Sequence, residues 1–159
     1  MNNIFFSADT HIGHKNVLKY MLSRLYALEQ DTKAHDKWLI ELWQKTIGKQ
    51  DRIYFRKASQ IMDVTIKPSV CNFIKEELRI VLCYYQLLDR LWKHQGVIML
   101  HGHCHCTMDD YNAQSTDLQF DIGIDSVLVK REGGFIYIKT LYKAIMEKIN
   151  KNIQKRIIN

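Results

Sequence analysis

The sequence has little of what usually separates domains or anchors a chain in a membrane. It contains one proline and seven glycines in 159 residues, and no repeat or low-complexity stretch marks a linker. No apolar run approaches the roughly 18 residues that a membrane-spanning helix needs. Since 47% of the residues are hydrophobic and 25% charged, the chain can bury a core, and we expect one domain over residues 1–159.

Cysteine is also scarce, and its spacing argues against a disulfide framework. The four cysteines, at positions 71, 83, 104 and 106, include no CxxC pair, so we expect free thiols in a reducing compartment. The opening MNNIFFSADTHIGHK lacks the basic region and cleavage site of a signal peptide. We therefore expect a cytoplasmic protein with no membrane partner. A structural zinc site that uses Cys104 and Cys106 is a minor alternative.

Positive charge is concentrated at one end of the chain. The formal net charge is +6, and the residues from Lys139 onward hold six Lys or Arg side chains against one acidic residue, Glu147, a net +5. Apolar residues recur at every fourth position from Leu141 to Ile153, which predicts a basic amphipathic helix over about 139–157. We interpret its cations as a solvated face. Nucleic acid is the less favoured partner, because charge without interleaved aromatic residues does not define a groove.

Apolar runs of strand length alternate with longer runs of helical period. A strand is predicted over 2–7, a helix over 17–30, and a second helix over 31–47 that ends near Gly48. Further strands are predicted for RIYF, LRIVLCYY, GVIML, LQFDIGI and GFIYI. This alternation of β and α elements predicts a layered α/β domain.

Two polar clusters each follow an apolar strand. DTHIGH holds Asp9, His11 and His14, and HGHCHC holds His103 and His105 behind GVIML. Loops at strand ends converge in α/β sheets, and side chains two residues apart in an extended segment point the same way. Histidine and carboxylate groups with open positions suit Mn, Fe or Zn acting as a Lewis acid. The two clusters together therefore predict a metal site.

At these residues the sequence resembles a known family. FFSADTHIGHKNVLKY is similar to the opening of the calcineurin-like metallophosphoesterases, especially their small bacterial and phage branch, and VIMLHGHCHC with FDIGIDS is similar to that family's closing G-H-x-H loop and the next strand. The resemblance covers roughly residues 3–140 and is specific at its two ends. It implies an α/β/β/α sandwich of two packed mixed sheets, and hydrolysis of phosphoric esters. It also implies one or two divalent ions, chiefly Mn²⁺, with Fe, Zn or Ni as alternatives.

The resemblance assigns roles to individual residues. Asp9, His11 and His105 match ligands of the family's first metal, and His103 matches a ligand of the second. His14 matches the histidine that lies beside the substrate and is the catalytic candidate. In the family, an aspartate bridges the two metals, and a histidine in an N-H-D/E motif stabilises charge or protonates the leaving oxygen.

The central motifs of the family are not matched. Lys57 and Ala58 stand where the family has a glycine and the bridging aspartate. Asn72 matches an asparagine ligand, but Phe73 stands at the catalytic histidine and Tyr84 at a histidine of the second metal. Because a bridging carboxylate offsets the repulsion between two dications, we expect the second metal site to be weak or empty. The chain is also abbreviated in its centre.

The expected function is therefore a metal-dependent phosphoric ester hydrolase, for monoesters or diesters, with a weakened or single-metal site. The alternative is a phosphoesterase fold that has lost turnover and acts as a binding module. Asp63 is the nearest carboxylate to replace the missing bridge, while Asp121 and Asp125 are expected to support ligands or cap loops. His35 is expected to face solvent.

Overall fold

The computed structural model describes residues 3–55, 61–87, 92–105, 107–130 and 134–158. Lys57, Ala58 and Cys106 lie outside these residues. The strands are β1 (Ile4–Ser7), β2 (Arg52–Phe55), β3 (Met62–Ile66), β4 (Leu78–Cys83), β5 (Ile98–His101), β6 (Gln119–Asp121) and β7 (Ile136–Tyr137). The helices are α1 (Val17–Tyr20), α2 (Thr32–Thr46), α3 (Asp109–Gln114), α4 (Val127–Lys130) and α5 (Ile138–Ile158).

The strands form two mixed sheets, which confirms the α/β class. The first has the order β2-β1-β7, with β1 parallel to β2 and antiparallel to β7. The second has the order β3-β4-β5-β6, in which β3 is antiparallel to the three parallel strands. A parallel bridge between Ala8 and Gly123 joins the chain just past β1 to the chain just past β6. The carboxyl ends of β1, β4, β5 and β6 therefore meet at one edge.

Both sheets contribute to one hydrophobic core. Alternate residues of each strand enter it, such as Ile4 and Phe6 of β1 and Ile98 and Leu100 of β5, as the two-residue period of a strand requires. Each fully buried aliphatic side chain contributes about 1.5–3 kcal/mol. A shift of one residue in the pairing of neighbouring strands would turn these side chains out of the core. The core therefore fixes the register of each strand, and with it the position of the strand's end.

Most of the predicted elements are confirmed. The six predicted strands correspond to β1, β2, β4, β5, β6 and β7, and the second predicted helix corresponds to α2. Asp31 caps α2, because its side chain accepts a hydrogen bond of 3.0 Å from the backbone N–H of Ala34. The edge strand β3 was not predicted, because only Val64 and Ile66 of its five residues are buried. Asp63 of this strand is exposed, so its carboxylate faces solvent.

The terminal helix is confirmed as α5, and most of its cations are exposed, as expected for a solvated face. Leu141 and Ile145 are buried in the core, whereas Ile153 is half exposed. The side chains of Lys148, Lys151 and Lys155 donate hydrogen bonds to the backbone carbonyls of the last three residues of α3, which are Asn112, Ala113 and Gln114 respectively. The last carbonyls of a helix lack intrahelical partners and carry partial negative charge. Part of the basic face therefore caps a neighbouring helix.

The first predicted helix is wrong beyond Tyr20. After α1 the chain continues as turns, in which Arg24 N–H bonds to the carbonyl of Met21 and Ala27 N–H to that of Arg24. Tyr26 adopts a left-handed backbone with φ of 64°, which no regular helix contains. The side chain of Arg24 points into the protein and is 3% exposed. Long-range contacts of Arg24 thus replace the local helical pattern.

The prediction that His35 faces solvent is also wrong. Its side chain is fully buried in α2, with Nδ1 3.3 Å from Oδ1 of Asp36. Burial lowers the pKa of His35 below its usual value, since a charged imidazole is disfavoured away from water. The other carboxylate oxygen of Asp36 accepts a hydrogen bond of 2.9 Å from Gly13 N–H. This pair therefore ties α2 to the loop that follows β1.

No helix within the described ranges is both long enough and apolar enough to cross a membrane.

Candidate metal site

Asp9 follows the end of β1 and lies against two glycines. A side-chain carbon added to Gly123 would stand 2.9 Å from Oδ2 of Asp9, and one added to Gly102 would overlap the same oxygen and the side chain of Ala8. The backbone N–H of His103 donates a hydrogen bond to this oxygen. The loop after β5 and the loop after β6 thus close around the carboxylate of Asp9, which is 6% exposed.

The candidate ligands have an unusual backbone. Asp9, His11, His103 and His105 all adopt left-handed conformations, with φ of 57°, 54°, 64° and 45°. Such conformations cost a non-glycine residue about 1–3 kcal/mol, persist only where the surrounding structure imposes them, and cluster at binding and active sites. The expectation of extended segments is therefore wrong, because the side chains converge through turns.

The imidazoles of the two loops lie side by side. The ring of His11 is 5.1 Å from that of His105 and 5.2 Å from that of His14, centroid to centroid. His14 is exposed and therefore stands at the rim. The structure thus brings together residues that are about a hundred positions apart in the sequence.

His105 is oriented from behind by a buried carboxylate. Its Nδ1 lies 2.7 Å from Oδ2 of Asp125, which also accepts a hydrogen bond of 2.6 Å from Arg24. Burial alone would raise the pKa of Asp125, but the hydrogen bonds from His105 and Arg24 outweigh burial and lower it to about 2. The hydrogen bond to Asp125 raises the pKa of His105 against the effect of burial. Asp125 lies where the sequence predicted a supporting group.

Asp9 and His11 each present a buried polar atom to the site. Oδ1 of Asp9 and Nε2 of His11 are buried and have no hydrogen-bond partner among the described residues, a rare and costly situation in proteins. Burial raises the pKa of Asp9, although the hydrogen bond from His103 N–H opposes it. Burial and then the charge of Arg24 lower the pKa of His11 to about 4, so its imidazole is neutral at pH 7. A divalent ion would satisfy both atoms.

The side chains as oriented here do not form a closed ligand group. Within the described part of the chain, no three His, Cys, Asp or Glu side chains stand together in a way that would hold an ion. The donor types, the two bare buried atoms and the neutral His11 nevertheless fit a metal of the Mn, Fe or Zn group.

Two tyrosines surround His103. The ring of Tyr84 lies 4.8 Å and that of Tyr85 4.7 Å from the His103 ring. Burial, followed by the charge of Asp9, raises the pKa of Tyr84, so its phenol stays protonated at neutral pH. Tyr84 thus puts an uncharged phenol at the place where the family resemblance expects a metal-binding histidine.

Two other sequence expectations are corrected or not supported. Asn72 lies in the segment from 67 to 77, which joins the end of β3 to the start of β4, opposite the edge that carries Asp9. It is exposed and borders a cavity with Asn3 and Tyr137, so it does not join the candidate ligands. Burial raises the pKa of the Cys104 thiol, which disfavours the thiolate needed for ligation.

Sequence reasoning missed Arg24. A lone arginine within VLKYMLSRLYALEQ reads as a residue on the polar side of a helix. Its partners, the carbonyls of Asp9 and Thr10 and the carboxylate of Asp125, are contributed by two distant loops. The only local signal is the interruption of helical period that Arg24 makes among apolar neighbours.

Comparison with known proteins adds one local likeness. The "Gene 66 protein" of Mycobacterium phage L5 is 33% identical over 54 residues, which make up 34% of this chain and 24% of that protein. The chain therefore spans about a quarter of the length of the curated relative it matches. No protein-family model matches the chain, and no solved structure matches it.

Proposed function

We propose that this protein is a metal-dependent phosphoric ester hydrolase with one principal metal site. The observation that carries the proposal is that Asp9, His11 and His105 lie close together. Two of their side-chain atoms, Oδ1 of Asp9 and Nε2 of His11, are buried without hydrogen-bond partners among the described residues. The sequence resemblance to metallophosphoesterases supports the same reaction, and the two mixed sheets are compatible with that family's α/β/β/α sandwich. Both observations point to the carboxyl edge of the strands, where α/β folds bind their ligands.

Asp9, His11 and His105 would hold the ion, with His103 available from the rim. A bound Mn²⁺ ion would supply Lewis-acid polarisation of a phosphoryl oxygen. The chain's own groups would prepare the site: His11 is neutral and can donate a lone pair, and Asp125 fixes the orientation of His105. His14, exposed beside His11, would contact the phosphate and transfer a proton to or from it.

A second metal has less support. Tyr84 provides no charge, Asn72 lies at the opposite edge, and among the described residues Asp63 faces solvent. Two dications a few ångströms apart need negative ligands between them. We therefore propose one ion and slow turnover.

The same observations favour an alternative from another class. A fold that keeps its metal but lacks the general acid and the bridging carboxylate of its relatives could serve as a binding module. Loss of a positioned general acid typically reduces the rate by about 10²- to 10⁴-fold. The mismatches at Ala58, Phe73 and Tyr84 are the feature that distinguishes this chain from the active pattern.

Hydrolysis of aryl phosphates distinguishes the two candidates. Purified protein is assayed with p-nitrophenyl phosphate and bis-p-nitrophenyl phosphate, with Mn²⁺ and with a chelator. We expect Mn²⁺-dependent release of nitrophenol that is lost in His105→Ala. The matched control is His94→Ala, because His94 is exposed in a short 3-10 turn between residues 93 and 95. Equal rates in both variants, or no rate above background, would reject the hydrolase and leave the binding module.

A further inference from the structure

One buried guanidinium group bonds to the loop after β1, which carries Asp9 and Thr10, and to the loop after β6, which carries Asp125. Nη1 of Arg24 donates to the carbonyl of Thr10 at 2.9 Å, and Nη2 donates to the carbonyl of Asp9 at 2.7 Å. Nε donates to the two carboxylate oxygens of Asp125 at 2.9 and 3.2 Å, and Nη2 donates to one of them at 2.6 Å. The side chains of Arg24 and Asp125 are 3% and 1% exposed, so water does not compete for these contacts.

Asp125 extends this network to His105. The oxygen that accepts from Nη2 of Arg24 also lies 2.7 Å from Nδ1 of His105. An ionised carboxylate only accepts hydrogen bonds, so Nδ1 must carry a hydrogen, and in the neutral imidazole Nε2 therefore keeps the lone pair. A ligating histidine is commonly oriented in this way by a carboxylate behind it.

We propose that Arg24 is a positioning residue that sets the two ligand-bearing loops relative to each other. It holds Asp9 through the backbone carbonyl and orients His105 through Asp125. This inference rests on the proposed function, since its purpose is to prepare ligands for an ion.

A guanidinium group is needed because the task is geometric. Its planar fork reaches two carbonyls and both oxygens of one carboxylate at once, whereas a lysine ammonium group is a point charge on a flexible stem. Stability alone does not explain the buried pair, since an apolar replacement of such a pair is often neutral or stabilising. Orientation of the two loops accounts for all the hydrogen bonds that Arg24 makes.

Mn²⁺ affinity tests the proposal in Arg24→Lys, Asp125→Asn and the double variant. We expect each single variant to bind Mn²⁺ about 10- to 100-fold more weakly. The loss in the double variant should be smaller than the sum of the two single losses, because Arg24 acts on His105 through Asp125. Lys130→Gln is the matched control: Lys130 is exposed, bonds Ser23 at 2.9 Å, and should leave the affinity unchanged.

The tautomer of His105, measured by ¹⁵N NMR in metal-free protein, gives a readout that a purely structural role would not move. At a pH high enough for His105 to be neutral, we expect hydrogen only at Nδ1 in the wild type and a mixture of tautomers in Arg24→Lys. A folded Arg24→Lys with wild-type affinity and tautomer, or additive losses in the double variant, would overturn the proposal. If Arg24→Lys does not fold, the same two measurements on Asp125→Asn decide, and wild-type values there would overturn it.

Failure of the proposed function gives a different result. If the wild type does not bind Mn²⁺, the hydrolase proposal fails. The His105 tautomer still tests Arg24, because it is measured without metal.

Discussion

The carboxyl and amino ends of the parallel strands in the second sheet, β3-β4-β5-β6, differ in chemistry. At the carboxyl edge, the loops after β1 and β5 hold buried Asp9 and left-handed histidines, and the Arg24–Asp125 ion pair joins the segment after β1 to the loop after β6. At the amino end of β4, the segment from 67 to 77 buries Cys71 and Ile74, exposes Asn72, and contains no left-handed non-glycine residue. One edge retains costly conformations and desolvated charges, and the other packs as an ordinary core.

This difference indicates where the fold trades stability for a site. Left-handed residues, buried carboxylates and polar atoms without partners each lower the free energy of unfolding. They occur together at the edge where strand ends converge. The connection from β3 to β4, at the opposite edge, contains no left-handed non-glycine residue.

The largest effect is expected from filling the space beside Asp9. Gly102→Ala places a methyl group against the Asp9 carboxylate and the side chain of Ala8, and overpacking of this kind costs about 1–3 kcal/mol. Urea denaturation measures the change. Gly48→Ala is the control, because its methyl group would meet only the side chain of Asp51, at 3.2 Å, without the overlap that a methyl group at Gly102 makes. Equal losses in both variants would contradict the tight packing around Asp9.

A smaller effect of opposite sign is expected from Asp9→Asn. Burial raises the pKa of Asp9 above its ordinary value. Between the ordinary pKa and the folded-state pKa, the folded state therefore binds more protons than the unfolded state. Stability is therefore lost as pH rises through the folded pKa. In metal-free protein at pH 7, Asp9→Asn should raise the free energy of unfolding by about 0.5–2 kcal/mol. A destabilised variant in chelator-treated samples would refute this expectation.

The buried His35 of α2 should make the stability of the protein depend on pH. Because burial lowers its pKa from 6.5, the unfolded state binds more protons below that value, and stability is present above pH 6.5 and falls as the pH decreases. His35→Leu removes this contribution. Urea midpoints at pH 7.5 and 5.5, measured with chelator, should differ less in the variant than in the wild type. An unchanged pH dependence would mean that His35 does not contribute.

The smallest effect is expected at the opposite edge. Asn72→Ala removes an exposed amide and should change the free energy of unfolding by less than about 0.5 kcal/mol. It should also leave Mn²⁺ binding unchanged. A loss of affinity in this variant, measured by dialysis, would place Asn72 in the site after all.

Local patterns predicted the elements well. The continuous apolar run in GVIML and the four-residue stripe from Leu141 indicate burial directly, so β5 and α5 lie where they were expected. The edge strand β3 was missed because its exposed side leaves only two apolar residues to signal it.

Long-range contacts could not be predicted in this way. Arg24 interrupts a helical pattern in favour of partners at Asp9 and Asp125, and nothing near Arg24 in the sequence specifies those partners. Asn72 was assigned by motif alignment, but the edge to which it belongs depends on the antiparallel direction of β3. The candidate ligands could be identified from the sequence because Asp and His are recognisable as metal ligands by residue type alone. Their backbone geometry could not be predicted in this way.

The number of Mn²⁺ ions bound by the wild type tests the central claim most directly. Equilibrium dialysis measures that number, and Asp9→Asn and Asn72→Ala, measured in parallel, show whether it depends on a residue at the carboxyl edge or on one at the opposite edge. We predict one tightly bound ion in the wild type and in Asn72→Ala, and none in Asp9→Asn at the same free concentration. Equal binding by the wild type and Asp9→Asn would contradict a metal site at the carboxyl edge.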